Sequence, residues 1–377
     1  MDHSSPRADC SLAPNLILPG ATSPISDLLA TLLKKPPPSL APIIPFPHPA
    51  RPLRLEGRPR LMQIFNATPD SFSDGHSDNL DVDFALKSIT ALFDRPTTSS
   101  GPPPPPDILD IGGMSTRPNS TPCTEQEELD RVVPLIRAIR AGSDERISRV
   151  PISVDTYRAS VARAAVQAGA SCINDVRGGS EPGMKEVMAE LGVPVVLMHS
   201  RGDSHTMGSA ELQDYSTLGG VVEGVRTELS ERVRDALGAG VRRWDVVLDP
   251  GLGFSKTPED NLALLRRVTE LNAPAAFASG ETSKASAEGA ADAEDVMVGL
   301  PILVGGSRKG FVGRVIGRAG KDEASQRGYG DAAVVAWCAA TSGVDGSTRS
   351  SGVDVLRVHD ARAMGEVLNM WRAIEGA

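Results

Sequence analysis

Eight short runs of apolar, β-branched residues recur along the chain, and their alternation with longer helical segments limits the fold more than any other feature. The runs are "LMQIF" (61–65), "DILDI" (107–111), "VPISV" (150–154) and "SCIN" (171–174), followed by "VPVVLM" (193–198), "DVVLD" (245–249), "PILVG" (301–305) and "VDVLRV" (353–358). Between them lie segments such as "TEQEELDRVVPLIRAIRA" (124–141) and "TYRASVARAAVQAGA" (156–170). Their apolar residues repeat at the helical period. Thr124 followed by Glu127 predicts a capping box at the start of the first of these helices. Strands apolar on both faces, each separated from the next by a helix, imply a parallel sheet covered on both sides. Eight such units over roughly 310 residues match a (β/α)8 TIM barrel, an α/β fold that takes about 250 residues before insertions. A doubly wound open sheet is the alternative. No GxGxxG follows the first run, which disfavours its dinucleotide-binding form.

Composition narrows the function. The 377 residues are 40% hydrophobic, ample for a large core, and carry a net charge of −9 with 4% aromatic residues. A nucleic-acid binder would want a basic surface and stacking rings, so no such partner is expected. No run of eighteen apolar residues is present, so no membrane span is expected either. Cys10, Cys123, Cys172 and Cys338 form no CxxC pair and read as free thiols in a reducing compartment.

Residues 1–58 differ from the rest. "KKPPPSLAPIIPFPHPARP" (34–52) is proline-dense and reads as an extended linker, with a single barrel domain over 59–377. "LLATLLKK" allows a short helix within that extension. Residues 1–20 lack a signal-peptide layout, and Asp2 and Asp9 against Arg7 argue against a transit peptide. The expected compartment is the cytoplasm, with the mitochondrion as the other option. Three low-complexity stretches read as surface insertions: "RPTTSSGPPPPP" (95–106), "ASGETSKASAEGAADAED" (278–295) and "SGVDGSTRSSG" (342–352).

In a (β/α)8 barrel the chemistry lies at the C-terminal ends of the strands. Here those ends deliver "NATPDSFSDG" (66–75), "GGMSTRP" (112–118), Asp155, "NDVRGG" (174–179) and "MHSRGD" (198–203). "DPGLGFSKT" (249–257), "GSRKGF" (306–311) and "RVHD" (357–360) complete the set. Polar or glycine-rich chemistry follows every strand at one end, as a ligand in the barrel mouth would require.

These motifs carry a resemblance. "NATPDSFSDG", "DIGGMSTRP", "ISVDTYR", "INDVRGG", "DPGLGFSKT", "GSRKGF" and "RVHD" are similar, in order, to those of the dihydropteroate synthases, and cover about residues 60–370. Any one motif is moderately specific, whereas the ordered set is very specific. The resemblance implies a pterin-binding barrel, dependent on Mg2+. Such a barrel would condense (7,8-dihydropterin-6-yl)methyl diphosphate with 4-aminobenzoate in folate synthesis, giving 7,8-dihydropteroate and diphosphate. Its eukaryotic, fungal-like form is often the last domain of a multifunctional folate-synthesis protein, which would make the proline-rich segment a linker. A homodimer is a further expectation.

The residues then take expected roles. A pterin presents a guanine-like edge of donors and acceptors, which suits carboxylates and amides. Asp155, Asn174 and Asp249 can converge on it from strands three, four and six, and the family pattern adds Met198 and Lys309. Each has a plainer reading. Asp155 can cap the helix opening at "DTYRAS", Asn174 can tie a turn, and Asp249 before "PG" can start one. Arg357 and His359 alternate at the end of the last strand and are expected on the diphosphate with Thr116 and Asn66. Asn66 also offers a hard oxygen to Mg2+. The plainer readings are a capping network with Asp360 for the pair and a bare loop position for Asn66. By resemblance, Arg117, Pro118, Phe254 and Ser307 meet 4-aminobenzoate. Phe254 could equally be a core residue, and Arg308 reads as structural.

A mechanism follows from the weak nucleophilicity of an aryl amine. The resemblance implies an SN1-like path in which loss of diphosphate is the harder step. Mg2+, Arg357 and His359 would stabilise the charge that develops there. Asp155 and the electron-rich pterin would stabilise the cation left behind, and Lys309 would act beside them. The loops at 67–79 and 112–120 would close as a lid. Met114, Gly306, Gly310 and Asp331 depart from common residues of the family. Asp331 stands where Thr or Ser is usual, at an expected helix start that an Asp caps equally well. Alternatives from other classes are a pterin-barrel methyltransferase and an inactive paralogue or scaffold. The first should lack "STRP", "SRK" and "RVH" together, and all three are present.

Overall fold

The computed structural model describes residues 43–55, 57–68, 81–94, 105–114, 122–273, 296–341 and 352–376. In them eight parallel strands close into a barrel. These are β3 (Arg60–Asn66), β4 (Ile108–Gly112), β5 (Ile152–Asp155), β6 (Cys172–Asp175), β7 (Val195–Met198), β8 (Val246–Asp249), β9 (Ile302–Val304) and β10 (Val353–Val358). Each pairs with its neighbours in chain order, and β10 closes the ring on β3. Around them lie α1 (Val82–Phe93), α2 (Glu125–Ala141), a one-turn α3 (Glu145–Ser148), α4 (Ala159–Ala168) and α5 (Met184–Leu191). The outer layer continues with α6 (Val221–Gly238), α7 (Pro258–Arg266), α8 (Gly310–Val315), α9 (Gly328–Thr341) and α10 (Ala361–Glu375). The expected capping box is present: Thr124 Oγ1 accepts from the Glu127 N–H, and Glu127 accepts from the Thr124 N–H.

Strand alternation divides the core into two bodies. Leu61, Leu109, Ile111, Ile152, Val154, Ile173, Val195, Leu197 and Leu248 belong to the shell shared with the helices. Their neighbours Met62, Ile108, Cys172, Val196, Val247, Leu303 and Val355 form a separate cluster inside the barrel. With a side-chain period of two, the next inward position on each strand lies one layer nearer the C-terminal ends. Those positions are Ile64, Asp110, Asn174, Met198, Asp249, Gly305 and Arg357, joined by Asp155 two residues after the buried Ser153. An apolar lower layer thus carries a polar upper one.

The lower layer is sealed by a segment that the sequence reading placed in the linker. Residues β1 (Ile43–Ile44) and β2 (Leu53–Arg54) pair as a two-stranded antiparallel ribbon. Ile44, Phe46, Ala50 and Leu55 are buried in one cluster with the lower-layer side chains. The extension to residue 58 is therefore corrected: from Ile43 onward it is part of the barrel's core. Proline density is compatible with this because Ile44, Phe46 and Ala50 stand beside the prolines and are buried, while His48 is exposed. Residues 1–42, including "LLATLLKK", lie outside the described residues, as do 95–104, 274–295 and 342–351, which hold most of the three expected insertions. In chain order each of the three stands between a helix and the next strand.

Candidate active site

Arg357 organises the upper layer. Its Nε donates to Asp110 Oδ2 at 2.7 Å, and its Nη2 reaches Asp110 Oδ2 at 2.6 Å and Asp155 Oδ2 at 2.5 Å. Asn174 Nδ2 donates to Asp110 Oδ2 at 3.2 Å. Four strands, β4, β5, β6 and β10, are thereby tied across the barrel by side chains that the strand register alone brings together. Asp155 keeps one oxygen, Oδ1, buried and without a hydrogen-bond partner. Such an acceptor is costly to leave unmet and suits a donor supplied by a ligand. Burial pushes the Asp155 carboxyl up; Arg357 opposes this, and repulsion from Asp110 and Glu128 adds to it.

Asp110 was missed in the sequence reading, which treated "DILDI" as an apolar strand. An acid two residues from the strand end, inside an otherwise apolar run, was the available signal. Asp155 does not cap the following helix: α4 has Arg158 at its N-cap position, with no side-chain cap. Asn174 ties Asp110 instead of a turn. Asp249 does hold a turn, with Oδ1 accepting from the Gly251 N–H at 2.7 Å, and it still lies in the polar layer. Burial pushes its carboxyl up as well. Gly251 is a glycine of necessity: its φ is +66°, and a Cβ there would fall 1.9 Å from the His199 carbonyl oxygen.

Lys309 and Phe254 meet on the rim, with Nζ 4.0 Å from the ring centroid. Burial and the nearby Arg357 guanidinium bring the Lys309 ammonium down to about 8. Phe254 is half-buried and lines a small cavity with Met114, Tyr157, Arg177 and Met207. Met198 is buried in the polar layer. Among the described residues two non-glycines adopt positive φ, Ser255 at 51° and Arg308 at 58°, one in each of the loops that carry Phe254 and Lys309.

The loop holding Phe254 rests on a buried network absent from the sequence reading. Lys256 Nζ lies 3.0 Å from His199 Nδ1, 3.0 Å from the Gly251 carbonyl oxygen and 2.9 Å from that of Phe254. His199 Nε2 meets Glu228 on α6 at 2.7 Å, and Glu228 also takes Arg201, whose guanidinium stacks 3.8 Å above Tyr215. Since Lys256 donates to Nδ1, the His199 ring carries its proton on Nε2 and gives it to Glu228. Burial holds His199 neutral, down to about 3. Burial also draws Lys256 down to about 7, although three acceptors at these distances engage all three protons of the ammonium.

Arg357 and His359 do not converge on one partner. Arg357 turns to Asp110 and Asp155, while His359 Nδ1 lies 3.1 Å from Ser307 Oγ, with its backbone N–H 3.3 Å from the same oxygen. Asp360 caps α10 by accepting from the Ala363 N–H, and neither neighbour joins that cap. Ser307 Oγ donates to Asp331 Oδ2 at 2.8 Å, and the Arg308 N–H donates to Asp331 Oδ1 at 3.0 Å. Asp331 therefore does not cap α9, which begins at Gly328; its carboxylate leaves the helix for the Ser307 loop. The Arg308 backbone is held on both sides, its N–H by Asp331 and its carbonyl oxygen by Arg327 Nη1.

Asn66 ends β3, half-buried and opposite Gly112. Thr116, Arg117 and Pro118, with most of the expected lid, lie outside the described residues. Among the described residues no group of three or more His, Cys, Asp or Glu could hold a metal, and no helix is long and apolar enough to cross a membrane. Cys123, Cys172 and Cys338 are free thiols.

Comparison with known proteins agrees with this geometry. Residues 62–359 match the family of pterin binding enzymes. The dihydropteroate synthase of Synechocystis is 36% identical over 84% of this chain and 91% of its own length. A mitochondrial folate synthesis bifunctional protein of Arabidopsis thaliana is 39% identical over 80% of this chain, which spans only 47% of that longer protein. The structure of Xanthomonas albilineans dihydropteroate synthase with 4-aminobenzoic acid aligns with a TM-score of 0.68 at 34% identity, covering 89% of this chain and 99% of that one. Matched through its whole barrel in sequence and in fold, the chain belongs to the pterin-binding enzymes of the dihydropteroate synthase family.

Proposed function

We infer that the chain is a dihydropteroate synthase, joining (7,8-dihydropterin-6-yl)methyl diphosphate to 4-aminobenzoate with release of diphosphate. The observation that carries the reading is the polar layer itself. Asp110, Asp155, Asn174 and Asp249 project into one barrel interior, with an unmet acceptor on Asp155 Oδ1. A fused bicyclic ring with amine and amide N–H groups supplies the donors such a pocket lacks. Arg357 shares one positive charge between Asp110 and Asp155, and the carboxylate oxygens left over accept the N–H groups of such a ring. Lys309 and Phe254 on the rim offer an ammonium and an aryl face to the second substrate. Arg117 and Pro118 are assigned to the same substrate by resemblance, and Thr116 to the diphosphate. Ser307, expected on the 4-aminobenzoate carboxylate, has its own proton engaged by Asp331.

The residues position and polarise without a protein nucleophile. The pterin is held by its edge so that its methylene points toward the mouth. Arg357 and His359 lie at the end of β10, on the side from which negative charge departs as the C–O bond lengthens. The amine is then delivered to the methylene from the rim. Mg2+, when bound, would supply charge neutralisation on the diphosphate. Asn66 is the residue that would hold it. One amide oxygen without an acidic cluster fits an ion that arrives largely coordinated by phosphate oxygens and water.

An origin in a eukaryotic, fungal-like multifunctional chain is part of the same proposal; the longer Arabidopsis relative, a bifunctional protein, supports its multifunctional part, and that relative's name supports the mitochondrion as an alternative to the cytoplasm. The exposed apolar residues Val315, Ile316 and Trp337, grouped on α8 and α9, support a homodimer. Activity is tested with purified protein, both substrates and chromatography of the product. Dihydropteroate should form with Mg2+ and stop on chelation, while pterin binding persists. Pterin binding with no product under any metal condition would overturn the reading in favour of a non-catalytic barrel.

A further inference from the structure

We propose that Asp331 is a positioning residue that acts through Ser307 to fix the protonation of His359, holding its Nδ1 as the protonated nitrogen. The three groups form a chain from α9 through the β9 loop to the end of β10. Ser307 Oγ stands 2.8 Å from Asp331 Oδ2, 3.1 Å from His359 Nδ1 and 3.3 Å from the His359 backbone nitrogen. Asp331 and Ser307 are both buried.

A serine hydroxyl has one proton and two acceptor sites. An ionised carboxylate only accepts, so the single proton of Ser307 goes to Asp331. The His359 backbone N–H takes one of the two acceptor sites. Nδ1 can then complete the set only by bringing its own proton to the other site. The neutral ring is therefore the Nδ1–H tautomer, and any second proton is gained or lost at Nε2. Counting protons around one oxygen settles which nitrogen carries the proton of the neutral ring.

The same carboxylate accepts the Arg308 N–H at 3.0 Å, so it holds the positive-φ turn between Ser307 and Lys309 as well. A purely structural Asp331 would do only that. The two roles separate in Asp331→Asn. The amide oxygen still accepts from Arg308, but the amide nitrogen now donates to Ser307 Oγ. The hydroxyl must turn and give its proton to His359 Nδ1, which moves the ring proton to Nε2.

The test is nitrogen NMR of protein labelled at histidine, at roughly pH 8.5, about two units above the ordinary histidine pKa. The His359 signals are identified by their loss in His359→Gln. In the wild-type chain Nδ1 should be of the protonated, pyrrole type and Nε2 of the pyridine type. In Asp331→Asn the pattern should reverse while the melting temperature stays close to wild type. A pyridine-type Nδ1 in the wild-type chain overturns the proposal, so it can fail even if the variant does not fold. An unchanged pattern in a folded Asp331→Asn overturns it equally. The consequence for turnover rests on the proposed function: kcat should fall about tenfold in Asp331→Asn with the KM for 4-aminobenzoate little changed. The NMR result requires no turnover, so failure of that reading and failure of this inference are told apart.

Discussion

Ile43 and Ile44 are neighbours of identical chemistry with opposite environments, and replacing each by alanine measures whether the N-terminal ribbon belongs to the barrel. Ile44 is 3% exposed and lies in the cluster with Met62, Val196 and Val355, whereas Ile43 is 43% exposed. A buried Ile→Ala change costs about 2–5 kcal/mol through lost transfer energy and the cavity left behind. An exposed one falls within about 0.5 kcal/mol of zero. Phe46, also 3% exposed, extends the series, with about 3–5 kcal/mol expected for Phe46→Ala. Against a total stability of about 5–15 kcal/mol, Ile44→Ala and Phe46→Ala together should bring the barrel close to its unfolding threshold. Urea unfolding followed by tryptophan fluorescence reads all of these. The polar layer is untouched, so KM for both substrates should hold at temperatures where the variants stay folded. Equal, small effects at Ile43 and Ile44 would refute the seal and return the segment to linker.

Other perturbations address the upper layer. Asp110→Asn weakens the charge-assisted contacts to Arg357 and should cost about 1–3 kcal/mol in urea unfolding, while lowering the Asp155 carboxyl by removing a like charge; unchanged stability and pterin affinity would remove Asp110 from the site. Lys309, at about 8 in the folded chain, should impose a fall in kcat/KM as pH rises through that value, and Lys309→Arg should move the limb upward. Stability carries the same signature. The unfolded lysine keeps its proton to about 10.4, so the unfolded chain binds more protons between the two values and stability should rise with pH across that window. Lys256→Met strips the partners from His199 Nδ1 and two buried carbonyls, at about 2–4 kcal/mol after the buried charge is relieved. Hydrogen exchange should then quicken in 251–256, and protection equal to wild type there would show that the lysine does not hold the loop.

Much of this molecule was legible before its structure was known, for identifiable reasons. Strands buried on both faces leave uninterrupted apolar runs, so "VDVLRV" (353–358) coincides with β10. Helix ends were less clear: "TYRASVARAAVQAGA" begins three residues before α4, because Arg158 gives no capping signal. Asp155, Asn174 and Asp249 could be found since each ends or nearly ends a run. Asp110 offers a weaker signal, an acid within the run "DILDI" and not beyond it, and register is what shows it facing the same interior. The ribbon at 43–54 escaped notice because two-residue strands have no measurable period and the prolines dominated the reading. The links from Lys256 to Glu228 and from Asp331 to His359 join residues 28 apart in both cases. No local pattern encodes such distances; folding creates them.

The placement of the low-complexity stretches has an evolutionary reading. In chain order the low-complexity stretches stand after α1, before β9 and before β10, in each case where a helix hands over to the next strand. An added residue inside a strand would turn every inward side chain beyond it toward the helices, and an added residue at the mouth would meet the substrates. The helix-to-strand corners face neither hazard, so drift in sequence and length can accumulate there without selection noticing. The same corners are natural places to splice in a tag, a fluorophore or a whole second domain, leaving the catalytic end of the barrel as it is.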